Sequence, residues 1–202
     1  MKKYTSKEIY TSIQGEGRRI GTLNIFVRFS YCNLRCNLEE NQFACDTDFT
    51  GGEKYDLHAL LTLIRATGGA CKNIIFTGGE PMLQVDTELC EALKGEGYYL
   101  AVETNGTVES DVYPYLDWIT VSPKTAEHTL RASKCHELKY VLADGTHPPV
   151  PSLTADNYLL SPVFDGMEID RTSLRWCVKQ IKDAVKIPWE LSVQNHKFWK
   201  VR

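Results

Sequence analysis

The stretch NIIFTGGEPMLQVDTELCEALKGEGYYLAVET, Asn73 to Thr104, decides the fold. NIIFTG has the length and apolar composition of a buried strand. VDTELCEALKGEG, from Val85, reads as an amphipathic helix closed by Gly95 or Gly97. YYLAVET is a second buried strand, so the segment is a strand–helix–strand unit, which needs parallel pairing and a right-handed crossover. Outward from it the pattern continues. IFVRFS from Ile25 reads as the first strand, LHALLTLIRA from Leu57 as a helix, and DWITVSP, ELKYVLA and NYLLSPV as further strands. DRTSLRWCVKQIKDAV from Asp170 is the clearest later helix and LSVQ a last strand. Thr104 to Trp118 and Pro123 to Glu137 leave little room for full helices. The expected architecture is therefore α/β, an incomplete (β/α) barrel with some crossover helices trimmed. It puts Thr77, Glu103, Ser122 and Ser161 at the carboxyl ends of strands, the face where α/β barrels place their chemistry.

The chain has 202 residues, of which 43% are hydrophobic and 24% charged, ordinary values for one globular domain spanning residues 1–202. A formal charge of −3 supplies no global field for nucleic acid or an anionic membrane. The opening MKKYTSKEIYTSIQGEG lacks the apolar core of a signal peptide, and no apolar run approaches the ~20 residues of a membrane span. A cytoplasmic location is expected. Of the 7 cysteines, Cys32, Cys36 and Cys45 crowd into one loop while Cys71, Cys90, Cys135 and Cys177 are scattered. That usage fits a reducing compartment and a metal site.

Three thiols in CNLRCNLEENQFACDTDF, Cys32 to Phe49, are an informative number. Structural zinc usually takes four ligands, whereas a four-iron cluster held by three thiolates leaves one iron open. A zinc site completed by a distant histidine and a coincidence of buried thiols are the alternatives. TGGEP, Thr77 to Pro81, ends a strand with two glycines that let a ligand approach the backbone, and Glu80 can accept from an ammonium group. A plain strand-to-helix turn is the simpler reading.

Together, CxxxC, a third cysteine downstream and GGEP at a strand end resemble the radical S-adenosylmethionine (SAM) superfamily. The common spacing there is CxxxCxxC, whereas residues 37–44 here separate Cys36 from Cys45, an enlarged cluster loop within 32–47. IYTSIQGEG (from Ile9), FVRFSYCNLRC, CDTDF, TGGEP, VETNGT, VSPK and LSVQNHK further resemble the 7-carboxy-7-deazaguanine synthases. The resemblance implies a barrel of the radical SAM type with a 4Fe-4S cluster on Cys32, Cys36 and Cys45, SAM on the open iron, and Mg²⁺. The reaction it implies turns 6-carboxy-5,6,7,8-tetrahydropterin into 7-carboxy-7-deazaguanine with loss of ammonia, a step toward queuosine and related deazapurines. It further implies an electron donor such as flavodoxin or ferredoxin, a homodimer, and no direct contact with nucleic acid or membrane.

The roles implied for single residues follow from the same resemblance. Ile13, Gln14 and Gly15 would read the pterin edge and Glu16 its guanidine-like N–H groups, against the alternative of a simple Gly-rich loop. Arg28, a charge within an apolar strand, calls for an anionic partner: the substrate carboxylate, or a structural salt bridge. Thr77 would also touch substrate. Thr47 would bind Mg²⁺, with Asp46 and Asp48 as alternative ligands. Gly78, Gly79 and Glu80 would meet the amino end of SAM, and Glu103 and Asn105 its ribose. Ser122, Pro123 and Lys124 would take its methionine or nucleoside end, and Ser161, Pro162, Phe164 and Asp165 its adenine. Gln194 and His196 would hold a tail whose final carboxylate, on Arg202, binds the pterin. No acid–base triad is expected. A glycyl-radical activase and a zinc-stabilised binding module are the rival readings.

Overall fold

The computed structural model describes residues 2–36, 45 and 47–201. Its elements in chain order are β1 (Tyr4–Ile13), β2 (Leu23–Phe29), β3 (Glu53–Tyr55), α1 (Leu57–Gly68), β4 (Asn73–Gly78), α2 (Thr87–Gly95) and β5 (Tyr99–Thr104). They continue with β6 (Trp118–Val121), β7 (Glu137–Leu142), β8 (Asn157–Pro162), a hairpin of β9 (Phe164–Asp165) and β10 (Glu168–Ile169), α3 (Arg171–Asp183), β11 (Trp189–Leu191) and α4 (Asn195–Trp199). Among the described residues nine strands form one sheet in the order β11-β8-β7-β6-β5-β4-β2-β1-β3. From β2 to β11 every pairing is parallel; β1 pairs antiparallel with both β2 and β3. The sheet does not close, so the architecture is an incomplete α/β barrel, as expected.

The crossover helices begin where the sequence supplies a cap. Asp56 accepts from the Ala59 N–H (2.9 Å) at the start of α1, and Asp86 from the Leu89 N–H (2.9 Å) at the start of α2. Each lays an apolar stripe on the sheet, Leu60, Leu61 and Ile64 from α1 and Leu89, Cys90 and Leu93 from α2. They meet Ile25, Val27 and Phe29 of β2, Ile74 and Phe76 of β4, and Leu100 and Val102 of β5 in one continuous core. The two short crossovers carry only single turns, Tyr113–Tyr115 and Glu127–Thr129. Alternate residues point to the opposite face, and there the sheet is polar: Glu8, Arg28, Thr77, Glu103, Thr120, Glu137 and Lys139.

Three differences from the sequence reading stand out. The first strand is Tyr4–Ile13, not the run from Ile25; its polar, alternating residues lack the apolar run that marks a buried parallel strand. β3 is a three-residue edge strand with no apolar signal of its own. The last strand is Trp189–Leu191, so Val193 and Gln194 of LSVQ follow it and lead into α4.

Candidate active site

The turn after β4 and the loop after β2 are built against each other. A Cβ on Gly78 would lie 2.0 Å from the Phe29 carbonyl oxygen, and one on Gly79 1.9 Å from that of Tyr31, so both positions require glycine. The Gly79 N–H donates to Phe29 O (3.0 Å) and the Glu80 N–H to Tyr31 O (2.8 Å), which fixes the chain as it enters Cys32. Glu80 is fully enclosed. Its oxygens accept from the Met82 N–H (2.9 Å), the Thr104 hydroxyl (2.7 Å) and the Asn105 N–H (2.8 Å). Burial raises its pKa although these donors favour the carboxylate. The structure thus gives Glu80 the work of tying β4 to β5. Asn105 extends the tie, donating to Asn33 Oδ1 (3.0 Å) and toward Cys32 Sγ (3.9 Å).

Cys32 and Cys36 are half-buried and Cys45 exposed. Burial is the main cause that raises the Cys32 and Cys36 pKa values; each is also raised by the other thiolates of the trio or by Glu80, and Cys36 is lowered by nearby Lys124. Among the described residues no three His, Cys, Asp or Glu side chains already form a tight single-ion site. A cluster fits this donor set: three thiols within electrostatic reach of one another, beside a turn that has no side chains in the way. Iron binding would hold Cys32 and Cys36 as thiolates against the burial that favours their protonated forms. Lys124 donates to Ser122 Oγ (2.6 Å) after β6, and Ser161 and Pro162 end β8, two strands further along. Phe164 and Asp165 lie in the hairpin beyond.

Arg28 pairs with Glu8 of β1 (2.8 Å) and donates to the Tyr10 hydroxyl (3.0 Å), while Thr77 is its register partner on β4. Its anionic partner in this structure is therefore Glu8, a structural pair half open to solvent. Thr47 is half-buried, and its carbonyl accepts from the Cys45 thiol (3.6 Å). Asp48 is held by Lys7 (2.7 Å) and by Thr50 (2.7 Å), contacts that keep its pKa well below the carboxylate range. Asp46, Arg202 and residues 37–44 lie outside the described residues.

The Ile13–Gly17 loop is clamped between the sheet and the chain's last segment. The Asn195 N–H donates to Gly15 O (3.0 Å), the Gly17 N–H to Ser192 Oγ (3.0 Å), and a Cβ on Gly15 would strike His196 at 2.5 Å. Gln14 donates to Glu103 Oε1 (3.2 Å). Glu16 accepts from Lys139 Nζ (2.6 Å) and also bonds Gln194. Burial opposes the Glu16 charge, yet Lys139, His196 and Gln194 bring its pKa below the usual value. Glu103 faces this loop and Lys139 (3.4 Å), and burial pushes it up to about 7. Lys139 and Glu137 were not singled out from the sequence. The available signal was the one used for Arg28: charges alternating with Leu138, Tyr140 and Leu142 in a strand flanked on both sides. His136 stacks on Trp118 (5.2 Å between rings) and accepts from the Ile119 N–H (3.0 Å), a packing role.

Cysteine thiols at a glycine turn and a polar strand-end face define an iron–sulfur protein built on an open α/β barrel, and residues 13–113 match the family model of a 4Fe-4S single cluster domain. A 7-carboxy-7-deazaguanine synthase of Burkholderia multivorans is 36% identical, over 98% of this chain and 99% of its own. That of Bradyrhizobium diazoefficiens is 37% identical over 98% and 99%. The chain belongs to the 7-carboxy-7-deazaguanine synthase family. Its fold matches a crystal structure described as QueE from Escherichia coli, with a TM-score of 0.68 and 23% identity, over 95% of this chain and 94% of that one.

Proposed function

We propose that this chain makes 7-carboxy-7-deazaguanine from 6-carboxy-5,6,7,8-tetrahydropterin, releasing ammonia, as one step of queuosine and related deazapurine synthesis. One observation carries the reading: near-full-length membership of a family named for that product, in a chain whose glycine turn after β4 is built against the segment entering Cys32 while the Ile13–Gly17 loop lies over the polar face of the sheet. With a 4Fe-4S cluster and SAM bound, the pair supplies a 5′-deoxyadenosyl radical that accepts the substrate hydrogen. The protein's part is to bind, orient and keep water out. Cys32, Cys36 and Cys45 hold the cluster. Gly78 and Gly79 leave room for SAM, with Glu80 setting the turn, and Glu103, Asn105, Ser122, Pro123, Lys124, Ser161, Pro162, Phe164 and Asp165 complete its pocket. Ile13, Gln14, Gly15 and Glu16 take the pterin edge, Arg28 and Thr77 its carboxylate side, and Gln194 and His196 support the loop from behind.

Thr47 contributes one oxygen to Mg²⁺, the rest coming from substrate and water, which suits an ion that keeps much of its hydration. Residues 1–202 act as one domain, as a homodimer in the cytoplasm, with electrons from a flavodoxin or ferredoxin. Among the described residues no helix is long and apolar enough to cross a membrane. The test is to reconstitute the chain anaerobically and supply SAM, a reductant, Mg²⁺ and the carboxypterin. Formation of 7-carboxy-7-deazaguanine and ammonia, by mass spectrometry, is the expected result; SAM cleavage with no pterin product would overturn the reading.

A further inference from the structure

Lys139 is an enclosed cation on the polar face of the sheet, its side chain 8% exposed in the middle of β7. Three carboxylates surround it. Glu16 reaches it from the Ile13–Gly17 loop at 2.6 Å, Glu103 from β5 at 3.4 Å, and Glu137 lies two residues away on the same face. Glu137 is not idle: it accepts from the Arg18 N–H (2.8 Å) and so anchors the far end of the same loop. Gln14, at the near end, donates to Glu103. One ammonium therefore sits under a loop fastened at both ends to its own neighbours, and the loop in turn carries Asn195 and His196 on Gly15. Arg19 faces Glu103 and Glu137 from the loop's exit, and His196 faces Glu16 from α4.

We propose that Lys139 is a positioning residue for the pterin: by pinning Glu16 to β7 it holds the Ile13–Gly17 loop, and the Gln194–His196 segment resting on it, in the shape that takes the substrate. This rests on the reading of that loop as the pterin site. A buried charge is expensive to leave unpaired and strong when hydrogen-bonded, so a lysine here is maintained by what it organises. Burial opposes its charge, but Glu103 and Glu16 more than overcome this and raise its pKa. The segment entering Cys32 is tied separately, Phe29 and Tyr31 to Gly79 and Glu80 and Asn33 to Asn105.

The experiment compares wild type, Lys139→Met, Glu16→Gln and the double variant, all reconstituted with cluster. Two quantities are read: the Kd for oxidised 6-carboxypterin, by fluorescence without reductant, and SAM cleavage by dithionite without pterin. Loss of a charge-assisted contact that shapes the loop should weaken pterin binding by about tenfold or more. Substrate-free SAM cleavage by Lys139→Met stays at the wild-type rate. In the Glu16→Gln background Lys139→Met adds less than about twofold, because the route through Glu16 is already cut. If Lys139→Met does not fold, the same comparison is made on a Glu137→Gln background, which lowers the local negative charge. Wild-type pterin affinity in folded Lys139→Met, or a full effect persisting beside Glu16→Gln, overturns the proposal. A wild-type chain that cleaves SAM but binds no pterin would instead overturn the reading beneath it.

Discussion

Replacing Gly79 by alanine tests whether the turn after β4 shapes the cluster loop. The new Cβ would lie 1.9 Å from the Tyr31 carbonyl oxygen, 2.4 Å from its carbon and 3.0 Å from the Cys32 nitrogen. All three are backbone atoms, so no side chain can swing aside and the turn must shift bodily. That shift stretches two backbone hydrogen bonds, Gly79 N–H to Phe29 O (3.0 Å) and Glu80 N–H to Tyr31 O (2.8 Å). Each contributes about 1 kcal/mol, and forced overpacking costs about 1–3 kcal/mol more. The expected loss is about 4 kcal/mol, which for a chain of this size lowers Tm by roughly 10 °C. The variant should fold but hold little iron, because Cys32 is displaced by the same movement. Gly95→Ala, where an added Cβ meets nothing within 4 Å at the end of α2, is the control and should be neutral or slightly stabilising. Urea denaturation of the iron-free protein and iron per chain after reconstitution are the measurements. A Gly79→Ala protein with wild-type midpoint and full iron would refute the steric argument.

Single Cys32→Ala, Cys36→Ala and Cys45→Ala variants should each lose the cluster absorbance and SAM cleavage, while alanine at Cys71, Cys90, Cys135 or Cys177 leaves iron content intact; iron and sulfide analysis decides. Thr47→Val keeps the shape and removes the hydroxyl, so turnover should fall and its dependence on added Mg²⁺ weaken; an unchanged magnesium titration takes Thr47 out of the metal shell. The Glu103 carboxyl, pushed up to about 7 from 4.5, keeps its proton in the folded chain where the unfolded chain has released it. Its contribution therefore makes stability fall as pH rises from about 4.5 to about 7, and Glu103→Gln should flatten that part of the profile, read from urea midpoints at pH 5 and pH 7.5. An equally steep profile in the variant assigns the slope to another group.

Apart from the β9–β10 hairpin, the order of strands and helices from Leu57 to Asp183 was written in the sequence, because buried parallel strands are apolar runs and their crossover helices carry caps and stripes. So were the shortened crossovers, the cysteine loop and the glycine turn, where chemistry demands particular residue types at fixed spacing. β1 was hidden, since an antiparallel strand with one polar face has no continuous apolar signal and here doubles as the approach to the Ile13–Gly17 loop. The partners of charges were hidden too. Nothing local says that Arg28 meets Glu8, that Glu80 accepts from three donors, or that Glu103 meets Gln14 and Lys139. Lys139 and Glu16 stand 123 positions apart and meet only because β7 lies beneath the loop that follows β1. Residue type and spacing thus determined which chemistry the chain can hold, while the pairing of its buried charges, a long-range and low-dielectric matter, was decided by the tertiary structure alone.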